Sequence, residues 1–377
     1  LLLGFGLRAY TLGAQNVWWD EALAIWARRK GFWEMTLWTA GDVHPPLFFW
    51  FLYAVTEVAG QTEFAARFPD LVYGVLTIPL AYQLGRKLVG RRVGLLTALL
   101  IAGARFHVWW SQEMRMYALA GLMGTASLYF FVSWWQREQT EPRQAWRSLI
   151  PYVVASVGAL YSLYLSAFIL IVENLFVLLA GLRRRSRWRL WRRWMLAQVA
   201  TATIFVPWFY LAFGRMQTWS SAAPFDFSVF LQLYTVALSL GISTHLERYI
   251  WLALPFLVIA GAGLVLAWRG ARTRLSPKAS REAVLLLGLC LSVPPLAVFL
   301  LSRPRGLFYS PHVEARYLLP FAPSFYLLLA WGIVQLIRRW RLVGIGAALF
   351  VLGAFAWSLP QHYVDRYLRD ELQTMVR

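Results

Sequence analysis

The chain is predicted to be an all-α, polytopic membrane protein, and three features of its 377 residues carry that prediction. Hydrophobic residues make up 59% and aromatic residues 17%, giving a mean hydropathy of +0.52, well above what filling a soluble core requires. Apolar runs near the roughly 20 residues needed to cross a bilayer recur along the whole length. Short basic segments separate them: GRKLVGRR (85–92), QREQTEPRQAWR (136–147), RRRSRWRLWRR (183–193), RGARTRLSPKASR (269–281) and RRWR (338–341). One integral-membrane domain over 1–377 follows.

The net charge of +19 would point to nucleic acid in a soluble protein. Here the bases cluster between apolar spans, where the positive-inside rule puts them, so they are assigned to the cytoplasm and nucleic acid is not expected as a partner. Only Lys30, Lys87 and Lys278 are lysines, so a lone arginine says little about phosphate binding and its position must decide. Cys290 is the single cysteine, which excludes an internal disulfide and a cysteine-based metal or redox site.

The first segment, LLLGFGLRAY, is read as a span whose N-terminal part is missing. The first outer loop, about 16–66, is expected to carry two helices lying in the membrane interface. One starts near Asp20; the other is opened by Pro45 and Pro46 and continues through LFFWFLYAVTEVAG, whose apolar part is too short to cross. Further spans centre near residues 76, 100, 126, 156, 174, 204, 259, 292, 327 and 350, for a total of about eleven. Trp109, Trp110, Trp134, Trp135, Trp194, Trp208, Trp251, Trp268 and Trp340 lie near the predicted span ends, where indole suits the headgroup layer. The segment 214–247 is expected to add another interfacial element.

On this topology the ionisable residues gather outside. Asp20, Glu21, Asp42 and His44 fall in the first outer loop, and Glu113 and Arg115 of WWSQEMRMYAL in the second. Carboxylates held there among aromatic rings suit a general base or a divalent-ion ligand. Asp20 also suits a helix N-cap for EALAIWARR, Glu21 a first-turn position, Asp42 a turn before the prolines and His44 a hydrogen-bonded surface position. Glu113 and Arg115 read either as functional groups beside Trp109 and Trp110 or as an exposed ion pair. The last large outer loop, SRPRGLFYSPHVEARYLLP, carries Arg303, Arg305 and Arg316 on the side where few bases belong. Guanidinium groups match phosphate geometry, so these three are candidate anion contacts, Arg316 first; Arg303 and Arg305 also suit lipid headgroups. Glu173 and Asn174, near a span centre, are expected to serve helix packing.

At these residues the chain resembles the GT-C superfamily of integral-membrane glycosyltransferases, in the branch of protein O-mannosyltransferases and lipid A aminoarabinose transferases. The resemblance rests on WWDEALAIWARR, HPPLFFWFLYAV, the EFAARFPDLVYGV segment and WWSQEMRMYAL in that order, with HVEARYLLPFAP near the end. It implies a GT-C type bundle that transfers a sugar from a polyprenyl-phosphate donor to a glycan, lipid or protein hydroxyl on the outer face of a bacterial or archaeal cytoplasmic membrane. It implies that Asp20 is the base, with Glu21 beside it and Glu113 as the second-loop acid, where relatives carry Asp. With inversion at the anomeric carbon, Arg316 with Arg115, Arg303 or Arg305 would steady the leaving phosphate, and His44, Tyr117 and Tyr317 would orient substrate. No cofactor is required beyond the lipid-linked donor, and a divalent metal on Asp20, Glu21, His44 and Glu113 stays open. A transporter or lipid flippase using Glu173, Tyr161 and Tyr164, or an inactive scaffold of the same fold, are the alternatives.

Overall fold

The computed structural model describes residues 1–182, 187–215, 226–243, 245–269, 277–301 and 315–365, and among these every regular element is helical. The chain opens with the short helix α1 (Leu2–Ala9). The segment expected to form the first outer loop folds into three helices, α2 (Trp19–Arg29), α3 (Phe32–Gly41) and α4 (Leu47–Ala59). Two of these were expected. The third, α3, follows α2 directly because Gly31, at φ +89°, takes a left-handed conformation that reverses the chain. Helix α4 starts immediately after Pro45 and Pro46, whose fixed φ and missing N–H suit a helix start, and its 13 residues rise only about 20 Å.

Long helices follow. Helix α5 (Glu63–Leu88) is capped by the Thr62 hydroxyl, which accepts from the Ala65 N–H at 3.2 Å. The chain continues through α6 (Arg91–Gly103), α7 (Arg105–Trp110), α8 (Tyr117–Thr140), α9 (Trp146–Ser162), α10 (Ala167–Gly181), α11 (Arg187–Phe213) and α12 (Phe227–Leu240). Then come α13 (Leu246–Trp268), α14 (Pro277–Leu301), a 3-10 stretch over Ala315–Phe321, α15 (Ala322–Arg339) and α16 (Arg341–Asp365). Helix α12 lies inside the segment expected to hold a further interfacial element, and its 14 residues are too few to cross at right angles to the bilayer.

Eight segments among the described residues are long and apolar enough to cross a membrane, and they coincide with eight of the expected centres. The other three expected spans form helices of 8, 13 and 17 residues (α1, α6 and α9), so length and composition do not support a count of eleven. Helices α6 and α9 nonetheless pack along their long neighbours α5 and α8.

Helix α15 is the centre of the bundle. Every residue from Ala322 to Leu336 is buried, as expected of a helix apolar on all sides, and α15 packs against α6, α13, α14 and α16. Its crossing with α13 is close: a Cβ on Gly332 would lie 2.2 Å from the Ile259 carbonyl oxygen, and one on Gly263 would lie 2.5 Å from the Gly332 Cα. Small residues let two helix backbones approach in this way. The site arginine Arg316 sits just before this immobilised helix.

Several tryptophans expected in the headgroup layer belong to the interior instead. Trp134 and Trp194 are fully buried and stack at 4.9 Å, with Trp135 beside them. Indole is large enough to fill the space between α8, α9 and α11, and its apolar area outweighs its one polar atom. Trp251, Trp268 and Trp340 do remain exposed. Glu173 and Asn174 serve packing: Glu173 accepts from the Ser127 hydroxyl at 2.9 Å and from the Tyr152 hydroxyl at 2.8 Å, while Asn174 bonds Gln198 and the Trp194 indole. Tyr161 and Tyr164 are bonded to α11, through the Ile204 carbonyl and the Trp208 indole.

Candidate active site

The two segments expected to form the first outer loops are joined by three hydrogen bonds. The Trp18 indole donates to Glu113 Oε2 at 2.7 Å, Arg115 Nη1 donates to the Asp20 carbonyl at 3.1 Å, and the Met114 N–H donates to Glu21 Oε1 at 2.9 Å. The three contacts fix the start of α2 against the segment between α7 and α8. The 3-10 stretch before α15 adds a third wall, since Arg316 Nη1 donates to Asp20 Oδ2 at 2.5 Å.

Asp20 is therefore no helix cap. The cap position of α2 belongs to Trp18, in extended backbone with no side-chain cap bond, and Asp20 lies in the first turn. Its carboxylate instead meets two arginines from distant parts of the chain, Arg316 and, at 4.0 Å, Arg115 Nη2. The Asp20 side chain keeps 20% of its exposure, against 14% for Arg316 and 5% for Arg115, so the carboxylate is the most accessible of the three groups. Around the Arg316 guanidinium stand the rings of Tyr117 at 5.6 Å, Trp18 at 5.9 Å and Tyr317 at 6.0 Å. Aromatic faces hold a planar cation while excluding water, which strengthens its field toward an incoming anion.

His44 adjoins the same arginines. Its Nδ1 bonds Asp42 Oδ2 at 3.0 Å, and its Nε2 lies 3.5 Å from Arg115 Nη2. Burial lowers its basicity most, and although Asp42 opposes this, Arg115 and Arg316 add to the lowering and leave it below the usual histidine range. Burial alone would raise the Asp42 carboxyl, but the charge and hydrogen bond of His44, the Val43 N–H and Arg115 together hold it below the ordinary value. The turn expected at Asp42 is present at the end of α3, and this aspartate orients His44 as well.

Glu21 lies in the first turn of α2, one of the places expected for it, and its carboxylate is turned to Arg67. Both of its oxygens accept from Arg67, at 2.9 Å from Nε and 2.6 Å from Nη2, and both side chains have no exposure. Arg67 also donates to the carbonyls of Leu12, Gln15 and Asn16 at 2.9–3.1 Å. The pair locks the chain leading into α2 onto α5, and with it the position of the adjacent Asp20. Glu113, fully buried, is held by the Trp18 indole, and Arg115 reaches across to Asp20 and His44, so the ion pair considered for Glu113 and Arg115 is replaced by links between loops. Because Glu21 and Glu113 are directed to these partners, the four side chains considered for a metal do not converge; among the described residues no group of three such ligands is close enough to hold an ion. Arg303 and Arg305 lie outside the described residues.

Sequence reasoning left Trp18, Arg67 and Asp70 without a role. Asp70 is fully buried on α5, one turn beyond Arg67, within electrostatic reach of Glu21, Glu113 and Arg115. A charged residue inside a predicted span was the available signal for both Arg67 and Asp70.

Comparisons with known proteins agree with this architecture. A family model described as dolichyl-phosphate-mannose-protein mannosyltransferase matches residues 43–211, a stretch short of half the chain. No curated protein matches significantly. Among solved structures, ArnT from Cupriavidus metallidurans bound to undecaprenyl phosphate is 20% identical, with a TM-score of 0.59 over 97% of this chain and 71% of that one. The apo state of the same protein gives 20% identity and a TM-score of 0.55 over 86% and 62%. The archaeal oligosaccharyltransferase AglB from Archaeoglobus fulgidus, in complex with an inhibitory peptide and a dolichol-phosphate, is 12% identical, with a TM-score of 0.58 over 84% and 47%. The chain thus spans 62% of the apo ArnT chain and about half of the oligosaccharyltransferase. The chain thus shares the helical fold of these solved structures, the fold expected from its resemblance to the GT-C superfamily, and over residues 43–211 it matches the mannosyltransferase family model.

Proposed function

We propose that the protein is an inverting glycosyltransferase that moves a sugar from a polyprenyl-phosphate donor to a hydroxyl group of a glycan, lipid or protein on the outer face of the membrane. The observation that carries this reading is the meeting of one accessible carboxylate, Asp20, with two arginines, Arg316 and Arg115, inside a ring of aromatic side chains. Such a cluster offers a proton acceptor and an anion cradle side by side, the two functions that displacement at an anomeric carbon requires. The undecaprenyl phosphate of the similar ArnT structure and the dolichol-phosphate of the AglB complex support a lipid-linked donor.

In the proposed reaction the donor phosphate takes Arg316 and Arg115 as partners and releases Asp20 from its ion pair. Asp20 then accepts the acceptor's hydroxyl proton as the acceptor oxygen bonds to the anomeric carbon. The bond from that carbon to the phosphate oxygen breaks on the opposite side, its electron pair leaves with the polyprenyl phosphate, and the configuration inverts. Neutral His44 is a hydrogen-bond partner for a sugar hydroxyl, and Tyr117 and Tyr317 form an apolar wall for the sugar and the first lipid unit. Arg303 and Arg305, in the same loop as Arg316, are proposed as further phosphate contacts.

The test is release of polyprenyl phosphate from a panel of hexosyl and pentosyl polyprenyl phosphates by the reconstituted protein with acceptor-containing membranes. Wild type should turn over one donor, Asp20→Asn should lose at least a hundredfold in kcat, and Arg316→Ala should lose both kcat and donor affinity. Full activity in a folded Asp20→Asn variant would overturn the base assignment. Silence across the panel would favour a transporter or an inactive scaffold.

A further inference from the structure

A cavity of appreciable size lies far from Asp20. Helix α5 carries Arg67 near its site end and Lys87 at its other end, about 30 Å apart along the axis. Helix α8 likewise runs from Tyr117, at the site, to Arg137, about 30 Å away. Between these far ends, with α10 and the start of α14, opens a cavity of about 430 Å³. It therefore sits at the membrane face opposite the candidate active site, where the basic segments 85–92 and 136–147 also emerge.

The wall of the cavity divides by chemistry. Phe131, Phe176 and Leu286 are buried and form an apolar surface, whereas Lys87, Arg137 and Gln139 stand at the mouth. Arg137 is fixed there by donating to the Ser148 hydroxyl at 2.7 Å, and the Lys87 ammonium rests 5.4 Å from the Tyr129 ring centre. The two cations are near enough to repel one another, and among the described residues neither pairs with a carboxylate. The one acid of the lining, Glu282, accepts the Trp135 indole N–H at 2.9 Å. Two like charges facing an amphipathic recess at a bilayer surface fit a bound anion that also carries a hydrocarbon chain.

We propose that this cavity holds the phosphate headgroup of an anionic membrane phospholipid between Lys87 and Arg137, with an acyl chain lying along Phe131, Phe176 and Leu286. The anion relieves the repulsion between the two cations, and the chain fills the apolar part of the cavity. The site is independent of the transfer reaction proposed above, because no residue assigned to that reaction lines the cavity.

Native mass spectrometry of the full chain, with phosphatidylglycerol and phosphatidylcholine supplied in equal amounts, tests the preference directly. Wild type should retain phosphatidylglycerol in excess; equal retention would overturn the proposal whatever the variants do. Titration of phosphatidylglycerol into the detergent-solubilised protein, read by thermal melting, tests the location. The double variant Lys87→Gln/Arg137→Gln should bind about 30-fold more weakly, from roughly one tenfold step or less for each charge. Arg91→Gln/Arg92→Gln, which removes two charges from the same face outside the cavity, should bind as wild type. Equal loss in both double variants would show general surface attraction and refute the site. Inorganic phosphate should give no stabilisation at the same concentration; a shift equal to that of the lipid would identify free phosphate as the ligand and refute the lipid.

Discussion

The pairing of Glu21 with Arg67 separates two adjacent carboxylates that sequence alone treats alike. Neither side chain of the pair has any exposure, and Arg67 makes five hydrogen bonds, two to Glu21 and three to the carbonyls of Leu12, Gln15 and Asn16. Replacing Glu21 with Gln keeps the shape but leaves a buried guanidinium without its counter-charge. Removing one partner of a buried ion pair costs about 3–5 kcal/mol, because the remaining charge can neither return to water nor find a substitute. Arg67→Gln should cost at least as much, since it also strips donors from three carbonyls at about 1 kcal/mol each. The double variant Glu21→Gln/Arg67→Gln removes both charges and should lose less than the sum of the single losses. Unfolding of the detergent-solubilised variants by denaturant or heat measures the losses, and donor turnover is measured in parallel. Asp20→Asn, in contrast, should melt within about 1 kcal/mol of wild type, because a partly exposed ion pair contributes little. A Glu21→Gln protein as stable as wild type but without activity would refute the positioning role and restore Glu21 to the chemistry.

Three further outcomes follow from the same geometry. Trp18→Phe removes the indole donor to Glu113 and should lower kcat/KM roughly tenfold, the worth of one hydrogen bond to a charged group; unchanged kinetics would show that the loops hold their positions without it. Burial and the nearby arginines hold His44 below its ordinary value of 6.5, so the unfolded chain gains this proton first as pH falls. The corresponding stability is present above about pH 6.5 and is lost as pH drops through the lower folded value, so wild type should lose more stability on acidification than His44→Gln; parallel melting curves would refute it. Gly332→Ala should destabilise by ~1–3 kcal/mol or more, since its Cβ would overlap the Ile259 carbonyl, whereas Gly261→Ala, which meets nothing within 4 Å, should be neutral; equal effects would deny the close crossing of α13 and α15.

The sequence by itself determined the environment and the family likeness. Span-length apolar runs, basic segments between them and the Pro45–Pro46 helix start follow from local rules, and the structure has eight of the expected spans and a helix at Leu47. The candidate groups Asp20, Arg115, Arg316, His44, Tyr117 and Tyr317 were also legible, because ionisable and aromatic residues in the loops of so apolar a chain are few. Tertiary structure decided what each of them does. Asp20 and Glu21 share a helical turn, yet successive residues on a helix point about 100° apart, so one reaches Arg316 and the other Arg67. Trp134 and Trp194 satisfy the same pattern as interfacial tryptophans, and only the approach of α8 to α11 makes them a buried stack. Partners 46, 95 and 296 residues apart meet in the site through the packing of whole helices, which local composition and periodicity do not encode.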